Sequence, residues 1–135
     1  MSPPDTRPPL TPEQRAELAL RLARMESALQ DGLSARDEAA AAVELDQTRV
    51  GRLSRMDALQ QQAQAQAASR RATLQLQRVR GARQRLQSSA YGLCLDCEAP
   101  LDFRRLNADP CATLCLDCQT EREAEARRRQ MQARR

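Results

Sequence analysis

The chain has 135 residues, a formal charge of +4 at pH 7, and 22 basic residues that are all Arg. With one Tyr, one Phe and no Trp, it lacks the large side chains that dominate globular cores, so its composition excludes a large core and favours helices. No run approaches the ~20 apolar residues that span a bilayer, and the N-terminal residues lack the order of a secretory signal. We therefore expect a soluble, cytoplasmic protein without a membrane partner.

Residues 1–10 contain four prolines and almost nothing that could be buried, a composition that predicts a disordered leader. The next four residues, Thr11-Pro12-Glu13-Gln14, are typical of a helix start. Thr11 is placed as the N-cap, Pro12 occupies the first helical position where its missing N–H costs nothing, and Gln14 completes a capping box.

Two long helices are predicted over residues 11–89, and together they indicate an antiparallel hairpin, or coiled coil. The first carries one narrow apolar stripe, formed by Leu18, Leu22, Met25, Leu29 and Leu33, which requires a partner helix. We place the reversal of the chain within residues 43–54, where either Asp46 or Ser54 could cap the second helix. The second helix runs to about Ser88, and its middle, residues 60–68, offers only alanines for packing. Pattern alone is equally compatible with a coiled coil that serves only as a dimerisation element or spacer.

Two C-x-x-C pairs follow, separated by seventeen residues: Cys94 with Cys97, and Cys115 with Cys118. Two such pairs supply the four soft ligands of a tetrahedral zinc ion, and because the chain has no His the site must consist of thiolates. A shell of four cysteines leaves no position for water, which argues against an enzyme. The alternatives are a thioredoxin-like redox pair or a coincidence of small buried residues.

The second cysteine pair leads into a helix that we expect to start near Cys118 or Gln119. Residues 90–120 are thus predicted to form a small four-cysteine zinc finger with one structural Zn²⁺, and residues 121–135 an Arg-rich C-terminal helix. The predicted fold is mostly α. Cys111 lies outside both pairs and is interpreted as a small packed residue, with a redox thiol as the alternative.

Between and around these cysteines the sequence resembles the DksA/TraR family of C4 zinc finger proteins, through the segments Tyr91-Gly92-x-Cys94-x-x-Cys97, Arg104-Arg105-Leu106-x-Ala108-x-Pro110 and Cys115-x-x-Cys118. The resemblance implies a bacterial transcription regulator that binds RNA polymerase. Its coiled coil would enter the secondary channel with the tip near the active site, in concert with the alarmone ppGpp. The finger and the C-terminal helix would rest on the polymerase surface around the channel mouth.

At the hairpin tip the chain departs from the family pattern of two aspartates three residues apart followed by alanine. Asp57 matches the second aspartate, but Ser54 stands where the first belongs and Leu59 where the alanine belongs. Asp46 is the other candidate. Each of these two acids is either a functional tip residue or merely a helix cap or solvated charge.

Arginines recur near the tip and crowd the C-terminus, at positions 49, 52, 55, 127, 128, 129, 134 and 135. They form a solvated face, or else they meet acidic polymerase surface or nucleic-acid phosphate. No recognition-helix pattern indicates sequence-specific DNA binding. The alternative function is therefore a zinc-finger interaction protein whose hairpin self-associates or binds nucleic acid without sequence preference.

Overall fold

The computed structural model describes residues 8–46 and 52–135, without the side chains of residues 43–46 and 52–54. Its helices are α1 (Pro12–Asp46), α2 (Arg52–Leu86), α3 (Phe103–Ala108) and α4 (Leu116–Ala133). The extended structure among these residues is one isolated antiparallel bridge between Leu93 and Pro100. The prediction of a mostly helical fold with two long helices, a cysteine cluster and a C-terminal helix is confirmed.

Helix α1 begins at Pro12 because the capping box forms as predicted. The backbone N–H of Gln14 donates to Thr11 Oγ1 at 3.1 Å, and the Gln14 side chain accepts from the Thr11 N–H at 3.0 Å. These reciprocal bonds satisfy two donors that a helix start otherwise leaves open. Residues 1–7 of the predicted leader and residues 47–51 of the predicted reversal lie outside the described residues.

The described chain divides into two compact units, of which one is Leu22–Gly81. Within it α1 and α2 run antiparallel: Arg80 Nε lies 3.3 Å from Glu26 Oε1, and Arg36 Nη1 donates to the Ala68 carbonyl at 3.0 Å. The buried apolar residues of this unit are Leu22, Leu76 and Val79. The predicted stripe of α1 continues as half-buried Met25, Leu29 and Leu33, whereas three apolar residues of α2 are exposed, Met56, Leu59 and Leu74.

The second unit joins the residues up to Arg21 to Ala82–Arg135 and contains the cysteines. Its core consists mainly of apolar side chains from α1, α2, the finger and α3: Leu18, Ala82, Tyr91, Leu101 and Leu106. Arg15 donates from Nη2 to the carbonyls of Leu86 and Ser88, at 3.2 and 3.4 Å, so a guanidinium satisfies open carbonyls at the end of α2. Leu10, which the sequence placed in the leader, lies against Gly92, and a Cβ added there would be 3.2 Å from Leu10 Cδ1.

None of the described helices combines the length and the apolar content that crossing a membrane requires.

Candidate metal centre

The first cysteine pair lies on a tight hairpin-like turn that its backbone hydrogen bonds close. The N–H of Cys94 donates to the Ala99 carbonyl at 2.9 Å, that of Glu98 to the Cys94 carbonyl at 3.0 Å, and that of Leu101 to the Gly92 carbonyl at 2.7 Å. Two residues of this turn have positive φ, Gly92 at 85° and Glu98 at 61°. Glycine adopts this left-handed region without steric cost, whereas Glu98 does so at some expense.

Helix α3 was not predicted from the sequence, and it connects the two cysteine pairs. Asp102 caps it, with its side chain accepting from the Arg104 N–H at 3.2 Å. From α3, Arg105 Nε donates to the Leu114 carbonyl at 2.6 Å, and its Nη2 donates to the Gln119 side chain. One guanidinium therefore holds both the residue before the second cysteine pair and the first turn of α4. The sequence signal for α3 was Asp102 ahead of a short run of helix formers.

The second cysteine pair lies at the start of α4, but not as predicted. The helix begins at Leu116, earlier than the expected start near Cys118 or Gln119, because Cys115 is its N-cap. The Cys115 sulfur accepts the backbone N–H of Cys118 at 3.4 Å, in the way that a Ser or Asp oxygen caps other helices. The predicted helix start was wrong because the sulfur of Cys115 caps the helix, and a cysteine cap was not considered in the prediction.

The four sulfurs of Cys94, Cys97, Cys115 and Cys118 all lie within 4.8 Å of one another. A tetrahedron of sulfurs ~2.3 Å from a zinc ion has edges of ~3.8 Å, and the Sγ atoms of Cys97 and Cys115 are 3.8 Å apart. The four cysteines are thus positioned to bind one metal ion, and thiolates in this number and geometry fit Zn²⁺.

Backbone donors prepare this cluster for negative charge. Burial alone would raise the pKa of the Cys94 thiol, but hydrogen bonds from the backbone of Cys97, Cys115 and Asp96 together lower that pKa to about 6. Hydrogen bonding to the Cys115 sulfur raises the pKa of Cys118 well above its usual range. Crowding opposes the ionisation of all four sulfurs, and a bound divalent cation would supply the charge that lets all four be thiolates.

An ion pair links the first cysteine pair to α4. Arg122 Nε donates to Asp96 Oδ2 at 2.8 Å, and Arg122 Nη2 donates to the other carboxylate oxygen. This bidentate geometry raises the pKa of Arg122, mainly through the hydrogen bonds to Asp96. The pair fixes the orientation of the first turn of the finger against the helix.

In the same unit, the hydroxyl of Tyr91 donates to the Pro110 carbonyl at 2.8 Å, and burial raises the pKa of this phenol to about 12. Cys111 is buried beside it, and its backbone N–H donates to Asp109 Oδ1 at 3.1 Å. Cys111 is not among the four clustered cysteines, and its burial agrees with a packed residue. Its alternative role as a redox thiol stays a prediction.

Neither of the two tip candidates belongs to this cluster. Asp46 is the last residue of α1, with its side chain outside the description, and Asp57 is exposed in α2. The C-terminal arginines at positions 127, 128, 129, 134 and 135 are exposed on and just after α4. The structure brings none of these residues into the cysteine cluster.

Comparison with known families identifies the type of zinc finger to which the cysteine cluster belongs. Residues 89–124 match the family model of the prokaryotic dksA/traR C4-type zinc finger. The resemblance inferred from the motif is thereby confirmed, together with the prediction of one zinc ion in a C4 shell. No curated protein matches the sequence.

Among solved structures, the chain is similar to transcription factor DksA2 from Pseudomonas aeruginosa. The TM-score is 0.76 at 22% sequence identity, and the similarity covers 86% of this chain and 88% of that protein. It therefore extends beyond the dksA/traR-type finger and includes much of the helical hairpin. At this identity the likeness establishes a DksA-like fold.

Proposed function

We propose that this protein is a zinc-containing transcription regulator that binds RNA polymerase directly and inserts the α1–α2 hairpin into the secondary channel to modulate initiation. The observation that carries the proposal is the combination of a dksA/traR-type finger with a fold shared with a transcription factor over most of both chains. An antiparallel pair of helices, each about 10–12 Å across with its side chains, suits a pore too narrow for a globular domain.

In this proposal zinc has a structural role and is held by Cys94, Cys97, Cys115 and Cys118. When bound, it supplies folding free energy on the order of 10 kcal/mol. The chain's own residues then orient the finger: Arg105 holds the approach to the second cysteine pair, and Arg122 fastens the first pair to α4 through Asp96. Four protein ligands leave no coordination site for a substrate, so we propose no enzymatic activity.

The tip acids Asp46 and Asp57 are proposed to act near the polymerase active site, and the exposed arginines of α4 to meet acidic polymerase surface. Binding through arginine is salt-dependent. We propose no sequence-specific contact with DNA. The proposed role of ppGpp is that of a ligand of the complex, and it is tested by adding the nucleotide to the transcription assay described next.

The test is co-purification of RNA polymerase with the intact, zinc-loaded protein, followed by in vitro transcription from a ribosomal promoter with and without ppGpp. We expect binding and altered initiation. The variant Asp46→Ala/Asp57→Ala should bind but lose the effect, whereas Glu17→Ala, which removes an exposed acid near the other end of α1, should behave as wild type. An intact protein that neither binds polymerase nor changes transcription overturns the proposal.

The ligand assignment has its own test, which compares zinc content per chain in Cys94→Ser and Cys111→Ser. Loss of zinc is expected in the Cys94 variant alone. The opposite result would refute the assignment while leaving the polymerase experiment unaffected.

A further inference from the structure

The two long helices carry opposite charge. Helix α1 has eight acidic residues and four Arg, a balance of −4, whereas α2 has eight Arg and one Asp, a balance of +7. The hairpin therefore presents an acidic helix beside a basic one. Within the Leu22–Gly81 unit, Glu26 of α1 and Arg80 of α2 form an ion pair with each other. Other acids and arginines of the two helices are exposed.

On α2, an exposed apolar residue is surrounded by exposed arginines. Leu74 is 61% exposed, and Arg70, Arg71 and Arg78 stand four residues before, three before and four after it, all of them exposed. Residues at these spacings are neighbours on a helix surface. We call these four residues the α2 ridge. Arginine is enriched among the residues that carry binding energy in interfaces, and Leu74 adds exposed apolar surface beside these arginines.

On α1, four exposed residues with short side chains lie together, and we call them the α1 hollow: Ala28, Asp31, Gly32 and Ala35. Their spacing, i, i+3, i+4 and i+7, is that of the hole that accepts one side chain of a packed helix. A Cβ added to Gly32 would meet nothing within 4 Å, so its own chain gives no steric reason for glycine there. Mid-helix glycine costs ~1 kcal/mol relative to Ala, and a close approach by a second helix would account for it.

The α2 ridge and the α1 hollow lie at the same height in the hairpin. Arg36 contacts Ala68 and Arg80 contacts Glu26, and Leu74 is six residues from both Ala68 and Arg80. It therefore lies level with residues 30–32 of α1. A two-fold axis parallel to the hairpin keeps these heights equal between two copies, so the ridge of each can face the hollow of the other.

We propose that two copies of this chain pair side by side through the Leu22–Gly81 unit, in an isologous contact that is made twice. Leu74 of each copy fills the α1 hollow of the other. By the same register Arg70 and Arg71 are level with residues 33–36 of the other copy, so they face Asp31 and, one heptad along, Glu38, which is also exposed. Pairing covers the hairpin that the proposed function inserts into the channel, so only the dissociated chain would insert, and pairing itself does not depend on that function.

Charge favours a second copy over nucleic acid as the occupant of the α2 ridge. Packed helices lie 8–10 Å apart, which is about one Debye length at physiological salt. The acidic α1 therefore repels a continuous polyphosphate laid along α2. A second copy presents an acidic helix to α2 and a basic helix to α1, so it satisfies both surfaces at once.

The decisive experiment is complementation between two charge-reversed full-length, zinc-loaded chains, followed by sedimentation equilibrium at about 50 mM salt. One chain carries Asp31→Arg and Glu38→Arg, and the other carries Arg70→Glu and Arg71→Glu. In a homodimer of either variant, charges of the same sign would face each other at both contacts, so each variant alone should be monomeric. In an equimolar mixture both contacts are complementary, so a heterodimer should form. The wild-type protein should dimerise and dissociate as salt is raised to about 500 mM.

A second variant tests the hollow without endangering the fold. Gly32→Leu fills the hollow, while leucine is a better helix former than glycine, so helicity should hold or rise while dimerisation weakens at least tenfold. The proposal is overturned by a monomeric wild type at low salt, by a mixture that stays monomeric like its components, or by a Gly32→Leu chain that pairs as tightly as wild type. A monomeric wild type that binds duplex DNA or RNA through Arg70 and Arg71 would overturn it in favour of nucleic acid.

Discussion

Replacing Tyr91 by Phe should weaken zinc binding, because it removes a buried hydrogen bond of the finger without changing the shape of the ring. Tyr91 is 3% exposed, and its hydroxyl donates to the Pro110 carbonyl at 2.8 Å. The variant leaves that carbonyl without this donor in a buried site, which costs about 1–2 kcal/mol. When folding of a small finger is coupled to metal binding, the loss appears in zinc affinity. Since 1.4 kcal/mol corresponds to a factor of ten, we expect about 5- to 30-fold weaker binding.

The assay is competition for zinc between the protein and a chromophoric chelator at fixed pH and salt. Ser89→Ala serves as the control, since it deletes an exposed hydroxyl two residues away and should leave the affinity unchanged. Tyr91 is the only Tyr of the chain, which has no Trp, so its absorbance reports on folding in the wild type. If Tyr91→Phe binds zinc as tightly as wild type, the buried hydrogen bond does not support the finger, and this reasoning fails.

Three further substitutions test the structure around the finger and the helix start. Gly92→Ala should destabilise the finger by about 1 kcal/mol in zinc-loaded chemical denaturation, because φ is 85° and the new Cβ approaches Leu10; equal stability would argue against the left-handed backbone. Arg122→Gln should lower zinc affinity less than Tyr91→Phe does, because in its ion pair the Arg122 side chain is 58% exposed and that of Asp96 34% exposed to screening solvent. A larger loss in the same competition assay would contradict this ranking. Thr11→Ala should lower the stability by about 1 kcal/mol through loss of the cap, and an unchanged denaturation midpoint would mean that the cap contributes nothing.

The start of α1 and the cysteine cluster could be predicted because each depends on a local pattern. The capping box requires only residues three apart, and both of its hydrogen bonds form. The pairing of C-x-x-C segments is likewise fixed by ligand chemistry, since the chain has no His and zinc accepts four thiolates.

The missed features arise from interactions that a linear pattern does not show. Helix α3 has six residues, too few for a periodic signal. Cys115 was assigned to the metal, and its second role as the N-cap of α4 became evident only from the geometry. Leu10 followed a proline-rich stretch, yet it contacts Gly92 from far along the chain.

The exposed residues of α2 show a second limit. Met56, Leu59 and Leu74 contribute to an apolar composition, but all three are exposed, since the other faces of α2 supply Leu76 and Val79 to the core. Composition predicts that a helix packs against a partner. The rotation of the helix about its own axis decides which of its residues contact that partner. At Leu74 that exposure leads to the pairing proposal.

The central claim is that the hairpin tip enters the secondary channel of RNA polymerase, and site-specific photo-crosslinking tests it most directly. A photoreactive side chain at position 57, near the start of α2, should crosslink to polymerase residues that line the channel, whereas one at position 128 of α4 should crosslink to residues outside it. Two results would contradict the account. Position 57 of the bound protein could crosslink only to the outer surface of the polymerase, or position 128 could crosslink while position 57 does not.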